Sequence, residues 1–141
     1  MDQLITFTSN NTILVISIIV VSYMLLNNLF GEKLRGYSSI TPIQGTKMIN
    51  HDDAVVIDVR EVNEYSDGHI INSVHIPLSS LKTRMSELEK HKANKVIVAC
   101  RSGHRSSHAC ANLKKAGFEQ VFNLSGGVMA WESANLPLIK K

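Results

Sequence analysis

"VIVACRSGHRSS", Val96–Ser107, places a thiol between two kinds of hydrophobic pattern. Val96, Ile97 and Val98 are β-branched, and with their neighbours they read as a buried strand, Lys95–Ala99, that stops at Cys100. Arg105–Ala116 then follows helical periodicity, and Gly117 just past its end is a helix stop. Cys100 therefore stands where a strand meets a helix N-terminus. Unpaired amides at a helix start carry partial positive charge. The amides of Arg101, Ser102, Gly103, His104 and Arg105 can also curl into an anion nest, with Gly103 supplying a backbone conformation that other residues resist. Arg101 and Arg105 add full charges suited to an oxyanion. Such surroundings bring a cysteine pKa from ~8.5 to between ~3.5 and ~7.5, and the thiolate is the nucleophile.

On either side of this junction, strand and helix patterns alternate. Val55–Val59, Ser73–Ile76 and Gln120–Leu124 read as further strands, with an edge strand near Ser38–Ile40. Thr41 followed by Pro42 is a cap with proline at the first helical position, opening a helix to about Asn50. Another helix is expected from Ser80, with Leu81, Met85 and Leu88 facing inward. Gly126 and Gly127 make a tight turn into a last helix. The alternation predicts an α/β fold of three layers, a central mainly parallel sheet flanked by helices. Such sheets bind ligands at the carboxyl ends of their strands, where Cys100 lies.

Ahead of that domain, Gln3–Gly31 has no charged side chain, and Ile13–Leu26 is apolar apart from two serines and a tyrosine. Residues 11–30 give roughly 30 Å of helix, the thickness of a hydrocarbon core. The run is apolar around its whole circumference, unlike a helix packed on a surface. It also lacks the leading basic residues and small-residue cleavage site of a signal peptide. The expected organisation is a tail at 1–10, a transmembrane helix at 11–30, a linker at 31–37 and a folded domain at 38–141. Lys33 and Arg35 follow the helix and nothing basic precedes it, so the positive-inside bias puts the N-terminus outside and the domain in the cytoplasm. The expectation is a single-pass protein of a bacterial inner membrane, touching lipid through residues 11–30.

Composition excludes other classes. The chain carries 15 Lys and Arg against 12 Asp and Glu, scattered and without aromatic interleaving, so nucleic-acid binding is not expected. Cys100 and Cys110 show neither a CxxC nor a ladder of spacings. About 15 Å of helix rise would separate them, too far for a disulfide. Cys100, His104 and His108 read as C-x3-H-x3-H, but no fourth ligand is evident and His108 shares a polar helix face with Asn112 and Lys115; no metal and no cofactor is expected.

Three ordered motifs resemble the rhodanese-homology, or sulfurtransferase, family. "VVIDVRE" (Val55–Glu61) with "EYSDGHIINSVHIP" (Glu64–Pro77) is similar to its first signature. "CRSGHRS" (Cys100–Ser106) is similar to its active loop, and "LKKAGFEQVFNLSGGVMAW" (Leu113–Trp131) to its closing signature. Asn72-Ser73 stands in place of a commoner Gly-Ala pair. The resemblance implies a rhodanese-like fold and a ping-pong reaction. Cys100 would take the outer sulfur of a donor such as thiosulfate or a persulfide, then pass it to a thiol acceptor whose identity stays open. Arg101, Ser102, Gly103, His104 and Arg105 would bind substrate, the two arginine side chains steering donor oxygens.

Related phosphatase and arsenate reductase domains use C-x5-R; the C-x4-R spacing here resembles the sulfur-handling version. A sulfur carrier or membrane-docking module with little turnover is the alternative from another class. Asp58 and Arg60 end a strand beside the loop, where a buried ion pair would support it. Cys110 reads as a buried structural thiol, Trp131 as core, and His69 and His75 as structural.

Overall fold

The computed structural model describes residues 7–140. Residues 1–6 of the expected tail, Lys141, and the side chains of Asn28 and Lys33 lie outside the described residues. The chain divides after Leu34 into two compact units.

The first contains helix α1 (Thr12–Leu34), of which Thr12–Glu32 is long and apolar enough to cross a membrane and is not buried within the molecule. It runs past Phe30, where the apolar run stops, and continues through Gly31 to Leu34; Gly36, whose φ is +80°, lies just beyond its end. The expected linker is correspondingly shorter, and its last residue, Tyr37, is a core residue at 3 % exposure.

The second unit is a five-stranded, all-parallel sheet. In chain order the elements are β1 (Ser38–Ile40), α2 (Pro42–His51), β2 (Val55–Asp58), α3 (Val62–Asp67), β3 (Val74–His75), β4 (Lys95–Ala99), α4 (His104–Lys115), β5 (Gln120–Leu124) and α5 (Gly127–Ser133). The strand order is β1-β5-β4-β2-β3, so β4 lies at the centre, with Val98 beside Asn123 on one side and Ile57 on the other.

Period-two alternation divides the core between the two faces. Val96, Val98 and Cys100 join Ile57, Ala109, Cys110 and Leu113 on the face covered by α4. Ile97 and Ala99 join Ile40, Val56, Leu124 and Trp131 on the opposite face, with Met48 and Ile49 of α2 packed alongside. Cys100 thus inherits the α4 face from its parity on β4. Cys110 and Trp131 are buried, as expected, and the indole Nε1 donates to the Pro137 carbonyl at 3.1 Å.

Thr41 caps α2 reciprocally: the Gln44 amide donates to Thr41 Oγ1 at 3.3 Å and the Thr41 amide to Gln44 Oε1 at 2.9 Å. The segment after Ser80 differs from the expected α-helix. It forms two 3₁₀ pieces, Leu78–Ser80 and Met85–His91, joined by turns. The Thr83 hydroxyl donates to the Ser80 carbonyl, a local bond that competes with a regular helical ladder. Leu81 and Leu88 are nevertheless fully buried. The short α3 escapes period-based reading because six residues bury one side chain, Tyr65. Tyr65 stacks between His69 and His75, with ring centroids 3.8 and 4.2 Å away.

Candidate active site

Cys100 follows the last residue of β4, and the loop Arg101–Gly103 turns into α4. Gly103 caps that helix with φ +96°, and a Cβ there would stand 3.3 Å from the Gly126 amide nitrogen. Glycine is thus required both by the backbone conformation and by the neighbouring turn.

The turn curls amides onto the sulfur. The Gly103 amide donates to Cys100 Sγ at 3.1 Å, and the Ser106 hydroxyl, on the first turn of α4, lies 3.3 Å from it. Burial acts to raise the Cys100 pKa. The Ser106 hydroxyl and the amides of Ser106, Ser102 and Gly103 outweigh it, holding the thiol below its ordinary value. The stabilisation comes from the Ser106 hydroxyl and the backbone dipoles of the loop and helix start.

Two contacts from elsewhere keep the loop in this shape. Ser106 Oγ lies 2.6 Å from Asn123 Oδ1, and Asn123 Nδ2 donates to the Gly103 carbonyl at 3.2 Å. On the far side, the Val128 amide donates to the Cys100 carbonyl at 2.8 Å and the Met129 amide to the Arg101 carbonyl at 3.2 Å. With those carbonyls engaged by α5, neighbouring amides are left for the sulfur. Gly127 makes this approach possible: its φ is +60°, and a Cβ would run into the backbone of Cys100 and Arg101.

The arginines divide their duties. Arg105 does not present an open guanidinium. Its Nη1 and Nη2 each donate to a carboxylate oxygen of Glu64 on α3 at 2.7 Å. This pair, first of all through the Arg105 hydrogen bonds, lowers the Glu64 pKa to about 2. The expected two-arginine clamp on the donor is therefore split: Arg105 ties α4 to α3, while Arg101 is exposed and lines a cleft of about 270 Å³ beside the loop. Asp67, Met129 and Glu132 also line it.

Asp58 and Arg60 form a buried pair, with Nη2 to Oδ2 at 2.7 Å. Arg60 also donates to the carbonyls of Glu64 at 3.0 Å and Gly68 at 2.8 Å, so the pair fastens α3 to the end of β2. His75 Nε2 lies 2.8 Å from the Arg60 carbonyl, and His69 Nδ1 lies 2.9 Å from that of Tyr65. Both imidazoles brace the segment between β2 and β3. His104 is the first residue of α4 and is exposed, as is His108. Among the described residues, no group of three or more His, Cys, Asp or Glu side chains is placed to hold a metal ion.

Asn123, Glu64 and Gly127 are participants that motif reading did not assign to the site, and Ser106, the last residue of the active-loop motif, had no role assigned to it. Ser106 was within view, directly after C-x4-R. Asn123 and Glu64 reach the loop from other elements and carried no local sign of doing so.

Comparison with known proteins gives a consistent picture. Residues 41–134 match the rhodanese-like domain. Over 141 residues the chain is 37 % identical to the uncharacterized protein YibN of Escherichia coli K12, spanning 99 % of both chains and so including the α1 region. It is 36 % identical to a sulfurtransferase of Allochromatium vinosum over 93 residues, 66 % of this chain and 85 % of that one. Among solved structures, a rhodanese-related protein of Thermoplasma volcanium superposes with a TM-score of 0.67 at 32 % identity, covering 74 % of this chain and all of that one.

Proposed function

The chain belongs to the rhodanese-like domain family, and on that premise we propose that it is a membrane-anchored sulfurtransferase with Cys100 as its nucleophile. The observation that carries this reading is the convergence of the Gly103 amide and the Ser106 hydroxyl on Cys100 Sγ. Groups that favour an anionic thiol can equally hold the terminal sulfur of a persulfide, the intermediate such an enzyme requires.

With thiosulfate as donor, the Cys100 thiolate attacks the outer sulfur. The sulfur–sulfur bond of the donor breaks, sulfite leaves with the electron pair, and Cys100 holds a persulfide anion. A thiophilic acceptor, cyanide in an assay or a thiol in the cell, then attacks the terminal sulfur and returns the Cys100 thiolate. Arg101, at the cleft, is the side chain available to orient donor oxygens, and the loop amides from Ser102 to Arg105 bind the transferred sulfur. Asp58, Arg60 and the Glu64–Arg105 pair hold the elements that carry them. Helix α1 keeps the domain at a membrane; its unburied apolar surface over Thr12–Glu32 supports that role.

The test uses the full chain in an uncharged detergent. Incubation with thiosulfate should add one sulfur atom to the intact mass, and cyanide should then release thiocyanate and restore the original mass. Cys100→Ser should do neither. Persulfide formation without multiple turnovers would redirect the reading to a sulfur carrier. Absence of added sulfur from thiosulfate and from persulfide donors alike would overturn it.

A further inference from the structure

We propose that the cleft beside Cys100 selects its sulfur donor by charge, favouring a small zwitterionic aminothiol persulfide over a dianion such as thiosulfate. This rests on the sulfurtransferase reading above and concerns which donor class suits the site.

The charge pattern of the cleft motivates it. Three guanidinium groups lie near the loop, but two are already committed. Arg60 is held by Asp58 and by the carbonyls of Glu64 and Gly68. Arg105 is held through both terminal nitrogens by Glu64. Among the described residues of the cleft, Arg101 is the cation that no carboxylate engages, whereas Asp67 and Glu132 bring carboxylates to the same lining and take part in no ion pair. A dianion entering there meets one available guanidinium and two like charges, an arrangement that disfavours it.

A persulfide bearing an ammonium and a carboxylate matches the same groups. Its carboxylate pairs with Arg101, its ammonium with Asp67 and Glu132, and its short carbon stem rests on Val128 and Met129, which also line the cleft. The volume of about 270 Å³ lies just under the usual range for drug-sized ligands, which suits an amino-acid-sized donor. The chemistry balances without an oxidant. The Cys100 thiolate forms a bond to the outer sulfur, the donor's sulfur–sulfur bond breaks, and its electron pair leaves on the aminothiol sulfur. That sulfur takes the proton of the transferred sulfhydryl, giving a neutral thiol and the Cys100 persulfide anion.

The experiment compares donors with the same reacting group. The full chain in uncharged detergent is mixed with cysteine persulfide, N-acetylcysteine persulfide or thiosulfate, and the rate of sulfur gain is read by intact mass. Loading from cysteine persulfide should exceed that from the N-acetyl compound, which lacks the ammonium, by about tenfold. Asp67→Asn with Glu132→Gln should bring that ratio towards one and speed loading by thiosulfate; Glu132→Lys should raise thiosulfate loading further. Equal rates for the two persulfides in the unmodified chain, or a ratio untouched by the double substitution, would overturn the donor assignment and leave the sulfurtransferase reading standing. No sulfur gain from any of the three donors would remove both.

Discussion

Ser106 Oγ lies 3.3 Å from Cys100 Sγ and 2.6 Å from Asn123 Oδ1, and its hydroxyl has one proton for two acceptors. Asn123 is oriented by its own donation to the Gly103 carbonyl, so its oxygen faces Ser106 throughout. With Cys100 protonated, the hydroxyl can serve Asn123; once the thiol ionises, the sulfur competes for that proton. A hydrogen bond to a charged acceptor contributes about 1.5–3 kcal/mol, equivalent to about a tenfold or greater change in the ionisation constant. Ser106→Ala should therefore shift the pH profile of Cys100 alkylation upward by about one pH unit or more, read by intact mass after timed iodoacetamide treatment across a pH series. An unshifted profile would mean that the loop amides alone hold the thiolate.

At the scale of elements, α3 and α4 are joined by the bidentate Glu64–Arg105 pair, whose side chains are 29 % and 34 % exposed. Partial exposure limits its contribution to about 1 kcal/mol. The folded-state pKa of Glu64, about 2, lies below the ordinary value of 4.5. Its contribution to stability is therefore fully present above about pH 4.5 and is lost as pH falls from there towards 2. Glu64→Gln should lower the melting temperature by about 5 °C at pH 7, with the difference from the parent shrinking as pH falls below 4.5. Thermal unfolding of both chains at pH 3 and pH 7 checks this; an equal deficit at both values would place the cost elsewhere.

For the whole molecule, the chain leaves α1 at Leu34 and is already part of the folded domain at Tyr37, whose hydroxyl lies 2.6 Å from Ser107 Oγ. A helix whose span Thr12–Glu32 finds no cover within the chain exposes apolar side chains all round, and a hydrocarbon environment satisfies both its surface and its internally bonded backbone. The full chain should accordingly remain with the membrane fraction after alkaline carbonate washing. Recovery in the supernatant would refute the anchor without touching the chemistry of the domain.

Much of the fold was legible because its signals are local. β-branched runs marked the central strands, Thr41-Pro42 marked the start of α2, Gly117 marked the end of α4, and the end of the β-branched run put Cys100 at the junction of strand and helix. Elements without their own period were harder to read: α3 is short, and the run after Ser80 keeps its inward leucines while abandoning α-helical bonding. At the site, the loop from Cys100 to Arg105 could be read directly because strand end, glycine and helix start are consecutive. Residue order also suggested two arginines as the cations around sulfur. Folding instead gives Arg105 to Glu64, 41 positions earlier, and surrounds the thiol with a hydroxyl and amides whose carbonyls α5 has turned aside. Periodicity and turn chemistry act between near neighbours and can be read from residue order, whereas the partner of a buried hydroxyl or guanidinium depends on which distant segments packing brings within 3 Å or so.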